Sequence, residues 1–297
     1  MLHLTGHSGA IYALAFAADG GRLFSAGKDA TVRIWNTSRG AEAAVLQGHG
    51  GPVYSLAFHH EGKMLASGGA DKVPLLWDLS TAALIKPLAP QMSSVTGLAW
   101  LPGRTTLVAA SGERLRPERG GEIKVVYHDG PHAAPRLDRL EAEGVWSLAV
   151  SAKGPTLAWA GGAPFAFTWD ITRQEPRLMR QQDQCLALGL SPDGRLLAAA
   201  SRRTVKLWDV GRGLEVAFLE GHRGTVRAVA FSPDGRTLAT GGLDKIVRLW
   251  SVGDGVHLRG QYEWPIGAVH AITFSPDGLL AAAAGDQGPI VVWDLDE

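Results

Sequence analysis

The sequence predicts an all-β protein assembled from seven copies of one four-stranded unit. Three observations predict it. A short apolar run ending in an aromatic residue recurs at Trp35, Trp77, Tyr127, Trp169, Trp208, Trp250 and Trp293, with spacings of 42, 50, 42, 39, 42 and 43 residues. Hairpin turns of similar composition recur with it: Ser-Pro-Asp-Gly at 191–194, 232–235 and 275–278, Ala-Ala-Asp-Gly at 17–20, and His-His-Glu-Gly at 59–62. No amphipathic helical stretch of useful length interrupts these short runs and turns.

The seven units span approximately 6–36, 48–78, 90–128, 140–170, 180–209, 221–251 and 264–294. Unit six shows their anatomy. Leu214 to Leu219 is a first apolar run and precedes Gly221-His222. Thr225 to Phe231 follows, then the Ser232-Pro233-Asp234-Gly235 turn, Thr237 to Gly241, the Gly242-Leu243-Asp244-Lys245 turn, and Ile246 to Trp250. In such turns Pro fixes φ, Asp bonds its own backbone and Gly takes the left-handed position. The ends of the chain are incomplete in complementary ways. Unit seven has no strand after Val291-Val292-Trp293, and residues 1–5 have no strands before them. Open sheet edges invite aggregation, so Leu2 to Thr5 is expected to pair beside the last strand and close the structure.

Composition narrows the function classes. With 45% hydrophobic and 20% charged residues over 297 positions, the chain can bury a large core and is not disordered. Twenty-nine basic and 29 acidic residues cancel, which argues against broad adhesion to nucleic acid or anionic membrane. Lone Cys185 excludes an internal disulfide and fits a reducing compartment. No run of about 18 apolar residues is present to cross a membrane as a helix, and Met1 to His7 lacks the regions of a signal peptide. A cytoplasmic protein with one domain over residues 1–297 is the expectation, either a short independent protein or a domain cut from a larger one.

Gly-His at 6–7, 48–49 and 221–222, followed by Ser or Thr, then Asp, then Trp, at about 40-residue spacing, resembles the WD40 repeat family. The resemblance implies a seven-bladed β-propeller, with four antiparallel strands per blade and the N-terminal strand closing the ring. The Ser-Pro-Asp-Gly-Arg turns in an Ala/Gly/Arg/Leu-rich background are similar to those of bacterial members. The family further implies a hydrogen-bonded tetrad in three units: His7/Ser25/Asp29/Trp35, His49/Ser67/Asp71/Trp77 and His222/Thr240/Asp244/Trp250. A His, Ser and Asp together also suit a hydrolase, but three copies at fixed spacing assign them to architecture. The other units depart from the pattern. Unit three has Gln91 and Ala109, unit four has Glu141, Trp159 and Ala163, and unit five has Gln181, Ala199 and Arg202-Arg203. Unit seven has Pro265 and Ala282, with Asp286 out of register. Losing one tetrad member strands a buried partner at about 1–3 kcal/mol. Losing the network together is expected to avoid that cost and leave blades three to five held by packing.

The resemblance also implies that partners bind the face formed by the loops entering the innermost strands and by the second-to-third strand turns. The carried-over positions are Tyr12, Tyr54, Thr96, Trp146, Leu186, Arg227 and His270 after the first apolar inner residue, and Lys28, Ala70 and Leu243 before the Asp. Tyr12, Tyr54, Trp146, Arg227 and His270 are of the types that dominate binding energies, and Trp264, replacing a Gly, is expected to join them. Unit three carries an insertion, 112–121, whose Arg114, Arg116 and Arg119 suit a carboxylate or phosphate. The bland alternative is a solvated loop neutralised by Glu113, Glu118 and Glu122.

Weaker signals read as structure. His59-His60 lack further metal ligands, His128-Asp129 read as a turn variant, and Cys185 reads as core. Arg195, Arg202, Arg203, Lys206 and Arg212 read as a solvated basic face. The Tyr/Trp set also suits a cage for methylated lysine, although no matching acidic residue is evident. No cofactor or metal is expected. The leading function is a non-catalytic scaffold docking a protein or peptide on the top face. The alternatives are an enzyme at the channel mouth, for which no carboxylate occupies the seven equivalent positions, and nucleic-acid binding through the basic run of unit five.

Overall fold

The computed structural model describes residues 1–59, 61–113, 120–129, 144–173, 175–181, 183–253 and 255–295. The repeated turns fold as their chemistry dictates. Gly194, Gly235 and Gly278 have φ of 74°, 74° and 77°, a region that costs a residue without Cβ nothing. The Ser232 hydroxyl donates to Asp234 Oδ1 at 2.5 Å, and the same oxygen accepts the Arg236 N–H at 2.9 Å. The pattern returns at Ser191/Asp193 and Ser275/Asp277. Each turn thus closes a hairpin between the first two strands of a blade.

Seven antiparallel sheets result. Their innermost strands are Ile11–Phe16, Val53–Phe58, Val95–Trp100, Val145–Val150, Ala187–Leu190, Val226–Phe231 and Val269–Phe274. Six sheets have four strands. The third shows three, ending at Glu122–His128, and residues 130–143 beyond it lie outside the described set. Sequence unit and blade are offset by one strand. Leu214–Leu219, read with the sixth unit because it precedes Gly221-His222, pairs with Thr204–Asp209 as the outer strand of blade five. The same offset closes the ring. Leu2–Leu4 pairs with Ile290–Asp294 in the register Leu2↔Val292, His3↔Val291 and Leu4↔Ile290. It forms the fourth strand of blade seven, as the incomplete chain ends require.

The core is a ring of seven apolar clusters, one at each junction between neighbouring blades. The repeated aromatic is the wedge at most of these junctions. Trp77 packs with Phe24 and Ile34 of blade one, Trp250 with Val205 and Leu207 of blade five, and Trp35 with Ile290 and Val292 of blade seven. Truncating such a wedge to Ala costs about 3–5 kcal/mol.

Candidate functional site

The inner strands are not regular. In six blades the register slips between the first apolar residue and the residue two further on: Ile11/Ala13, Val53/Ser55, Val95/Gly97, Val145/Ser147, Val226/Ala228 and Val269/Ala271. The skipped residues are Tyr12, Tyr54, Thr96, Trp146, Arg227 and His270, six of the seven carried-over positions. A bulge leaves its residue out of the ladder and re-aims the side chain. In blade five the strand starts only at Ala187, so Leu186 stands just ahead of it. Each bulge also needs space beside it. A Cβ on Gly69 would lie 2.0 Å from the Pro52 carbonyl oxygen, and one on Gly161 would lie 1.8 Å from that of Gly144. This close backbone approach explains why the second strand so often ends in Gly.

The bulged residues converge. Tyr12, Tyr54, Trp146, Arg227 and His270 line one cavity of about 460 Å³ with Ser94, Thr96, Gly112 and Glu113. Tyr12, Tyr54, Thr96, Trp146, Arg227 and His270 also border the central channel beneath it, so they form a collar between mouth and channel. The Tyr12 ring meets Tyr54 edge-on at 5.4 Å and His270 at 5.6 Å. His270 Nε2 is 2.5 Å from Asp286 Oδ1. Burial, with Tyr54 and Asp286 beside it, pushes the Tyr12 hydroxyl above its ordinary range, against the opposing pull of Arg227. The Thr96 hydroxyl is engaged in donating to Val145 O at 2.6 Å. Arg227 is half-buried, its side chain makes neither hydrogen bond nor ion pair among the described residues, and its Nε–H is buried without an acceptor there.

Several expectations need correction. Trp146 is only 4% exposed and its indole N–H has no acceptor, so it is a wall of the cavity rather than a projecting anchor. Trp264 does not reach the collar. Gly6, at the equivalent place, lies against Trp35, and Trp264 likewise packs on Trp293 of its own blade at 4.5 Å while stacking with Tyr262. Lys28 and Leu243 are exposed on turns outside the cavity lining. Arg114, Arg116 and Arg119, like His60, lie outside the described residues. The channel mouth does carry carboxylates: Glu113 in the cavity wall and Asp286 on His270. Asp286 follows Gly285 as Lys28 follows Gly27, and Gly285 and Gly27 hold the same register against Val269 and Ile11. It therefore occupies a position that the resemblance implicated, and counting from the missing tetrad Asp hid it. In the basic run, Arg202 pairs with Asp183 at 3.1 Å and Lys206 with Glu215 at 2.7 Å.

The structure brings together the residues of all three tetrads. Trp35 Nε1 donates to Ser25 at 2.7 Å, Ser25 lies 2.8 Å from His7 Nε2, and His7 Nδ1 lies 2.9 Å from Asp29. His49 stands 2.6 Å from Ser67 and 2.7 Å from Asp71, and Trp77 donates to Ser67 at 2.7 Å. His222 stands 2.8 Å from Thr240 and 3.0 Å from Asp244, and Trp250 donates to Thr240 at 2.9 Å. Burial lowers the imidazoles of His7 and His222, only partly opposed by their aspartates. Burial works to raise Asp29 and Asp244, but hydrogen bonds from Thr31 and the histidines prevail and hold both low. Sequence reasoning missed Arg33 and Arg248, two residues before Trp35 and Trp250. Arg248 is buried and donates to Asp244 at 2.9 Å.

The incomplete units do not shed the network cleanly. Trp208 and Trp293 keep indole N–H groups that are buried without an acceptor, and neither amide atom of Gln181 has a partner. Strand register also places Ala283, not Ala282, opposite Ile272 where Ser25 stands opposite Leu14. Blade four differs, since Trp159 stacks on Phe167 at 5.4 Å. Elsewhere His59 is buried against the Trp100 ring, and His128 bonds the Thr106 hydroxyl at 2.8 Å. Cys185 is fully buried and its thiol is pushed up to about 12 by desolvation, so it is inert core.

Comparisons with known proteins follow this division in part, since unit five is matched without a tetrad. The family described as WD domain, G-beta repeat matches residues 1–36, 40–78, 179–209 and 213–251. The unmatched units are three, four and seven, none of which has a tetrad. Protein groucho of Drosophila melanogaster is 31% identical over 130 residues, 42% of this chain but 18% of its own length. Transcription factor unc-37 of Caenorhabditis elegans is 33% identical over 119 residues, 39% of this chain and 19% of its own length. The chain thus spans less than a fifth of either. Both are animal proteins and give no support to the bacterial character read from the turns. The solved structure of U3-55K superposes with a TM-score of 0.81 over 99% of this chain and 98% of that one, at 20% identity, a likeness of fold. Matched segments, tetrads and closed ring agree: four segments of this chain match the WD40 repeat, and the whole folds as a seven-bladed β-propeller.

Proposed function

We propose that the propeller is a non-catalytic scaffold that docks a protein or peptide partner at the collar on its top face. One observation carries the reading: bulges in separate blades turn Tyr12, Tyr54, Trp146, Arg227 and His270 into a single cavity. Aromatic and Arg side chains around a concave centre are the composition of binding hot spots. The likeness to groucho and unc-37 lies within the propeller, so it supports an interaction surface without bringing either protein's role to this chain. The test is quantitative affinity capture from native lysate with wild type beside Tyr54→Ala/Arg227→Gln, both baits melting at the same temperature. Trp146 is left intact because its burial makes it a packing residue. Partners retained by wild type and lost from the double variant are the expected result. Equal retention removes the collar from the reading.

The Asp286–His270 pair facing Tyr12 favours a second reading, proton-transfer catalysis at the mouth. It requires a saturable turnover that His270→Ala abolishes.

A further inference from the structure

Resting on that docking reading, we infer that the collar selects a peptide segment with an acidic side chain, whose carboxylate pairs with Arg227 inside the cavity. Arg227 is half-buried on a bulge, lines the cavity, and its side chain has no hydrogen bond or ion pair among the described residues. Among the described residues no carboxylate pairs with its guanidinium, although Glu113 lines the same cavity. The N–H groups of Arg227 Nε and Trp146 Nε1 are both buried without acceptors. By contrast, Arg33 and Arg248, on the third strands of their blades, each meet a carboxylate. A guanidinium in a partly desolvated cavity gains most from one planar anion held bidentately. The walls suit the rest of such a residue, because Tyr12, Tyr54 and Trp146 offer apolar faces to its methylenes.

The charge balance favours a monoanion. Arg227 supplies one positive charge, while Glu113 lines the same cavity and Asp286 holds His270. Any anion there is repelled by both carboxylates, and a phosphate dianion about twice as strongly as a single Asp or Glu, so a monoanion is the better match for the one arginine.

The experiment is selection of random displayed heptapeptides against the immobilised full chain, followed by affinity measurement of a selected peptide. The expected result is convergence on Asp or Glu at one position. Changing that residue to its amide, or Arg227→Gln in the protein, should each weaken binding by about tenfold or more. The two losses should not add when combined, because either change removes the same pair. Additive losses, or selected peptides without an acidic position, overturn the inference while Tyr54→Ala still weakens binding and the docking reading stands. Tighter binding when the acidic residue is replaced by phosphoserine overturns the carboxylate assignment. Peptides that bind Tyr54→Ala as they bind wild type, or no selected peptides at all, overturn the docking reading itself.

Discussion

Trp208 is the residue at which the repeat's hydrogen bonding has come apart. Its indole N–H is buried with no acceptor, and Gln181 has both amide atoms unpartnered. Ala199 occupies the place of Ser25, since it lies two residues along from Leu197↔Trp208 as Ser25 does from Leu23↔Trp35. A hydroxyl there would stand where Ser25 accepts from Trp35 and meets His7, and so give the Trp208 N–H an acceptor. Ala199→Ser is therefore expected to stabilise the fold by about 1 kcal/mol, read as a raised denaturant midpoint at unchanged slope. A lowered midpoint would show that the site cannot accommodate the extra atom.

At the scale of the element, two devices hold the loops that build the collar. The first is the bulge with its facing glycine. Gly69→Ala brings a Cβ into the Pro52 carbonyl and forces the strand carrying Tyr54 to move. It should cost about 1–3 kcal/mol and weaken partner docking, whereas Gly253→Ala, with nothing within 4 Å, should change neither. The second is the tetrad, which ties the loop before the inner strand to the second-to-third turn. His7, His222, Asp29 and Asp244 all sit below their ordinary pKa values in the folded protein. The unfolded chain then binds more protons on acidification, so stability falls with pH. This stabilisation is complete above the ordinary histidine value of 6.5. It is lost first as pH falls through the lowered histidine values, and again below the ordinary aspartate value of 3.8 as the carboxylates protonate. Melting temperatures measured from about pH 7.5 down to about pH 2 should show the two declines.

At the scale of the molecule, the ring has no separate centre, and its stability is distributed over the blade junctions. The junction of blades seven and one depends on a strand of three residues. Leu4 is 1% exposed and packs with Ile290 and Val292. Leu4→Ala should cost about 2–5 kcal/mol. Deleting residues 1–5 should lower the melting temperature further, because it also leaves the Ile290–Asp294 strand as an open edge. Unchanged melting after that deletion would show that the ring does not depend on its closing strand.

The repeat spacing, the Ser-Pro-Asp-Gly turns and the recurring Trp determined the all-β architecture and its seven units, because turn geometry and wedge packing are local demands that each copy must meet for itself. The missing strand after Trp293 and the unattached residues 1–5 likewise made the closing pair legible. The tetrads were legible because Gly-His, Ser or Thr, Asp and Trp recur at fixed offsets. Tertiary structure decided which of the implicated residues form one cavity. Inner-strand bulges turn Tyr12 and Arg227 inward, while packing on Trp293 keeps Trp264 away, and no local pattern distinguishes a projecting Trp146 from a buried one. Asp286 and Glu113 join the site only because the ring brings distant turns to one mouth. The physical reason is that strand pairing is set by residues two apart on one chain, whereas a channel is set by how seven sheets tilt against one another.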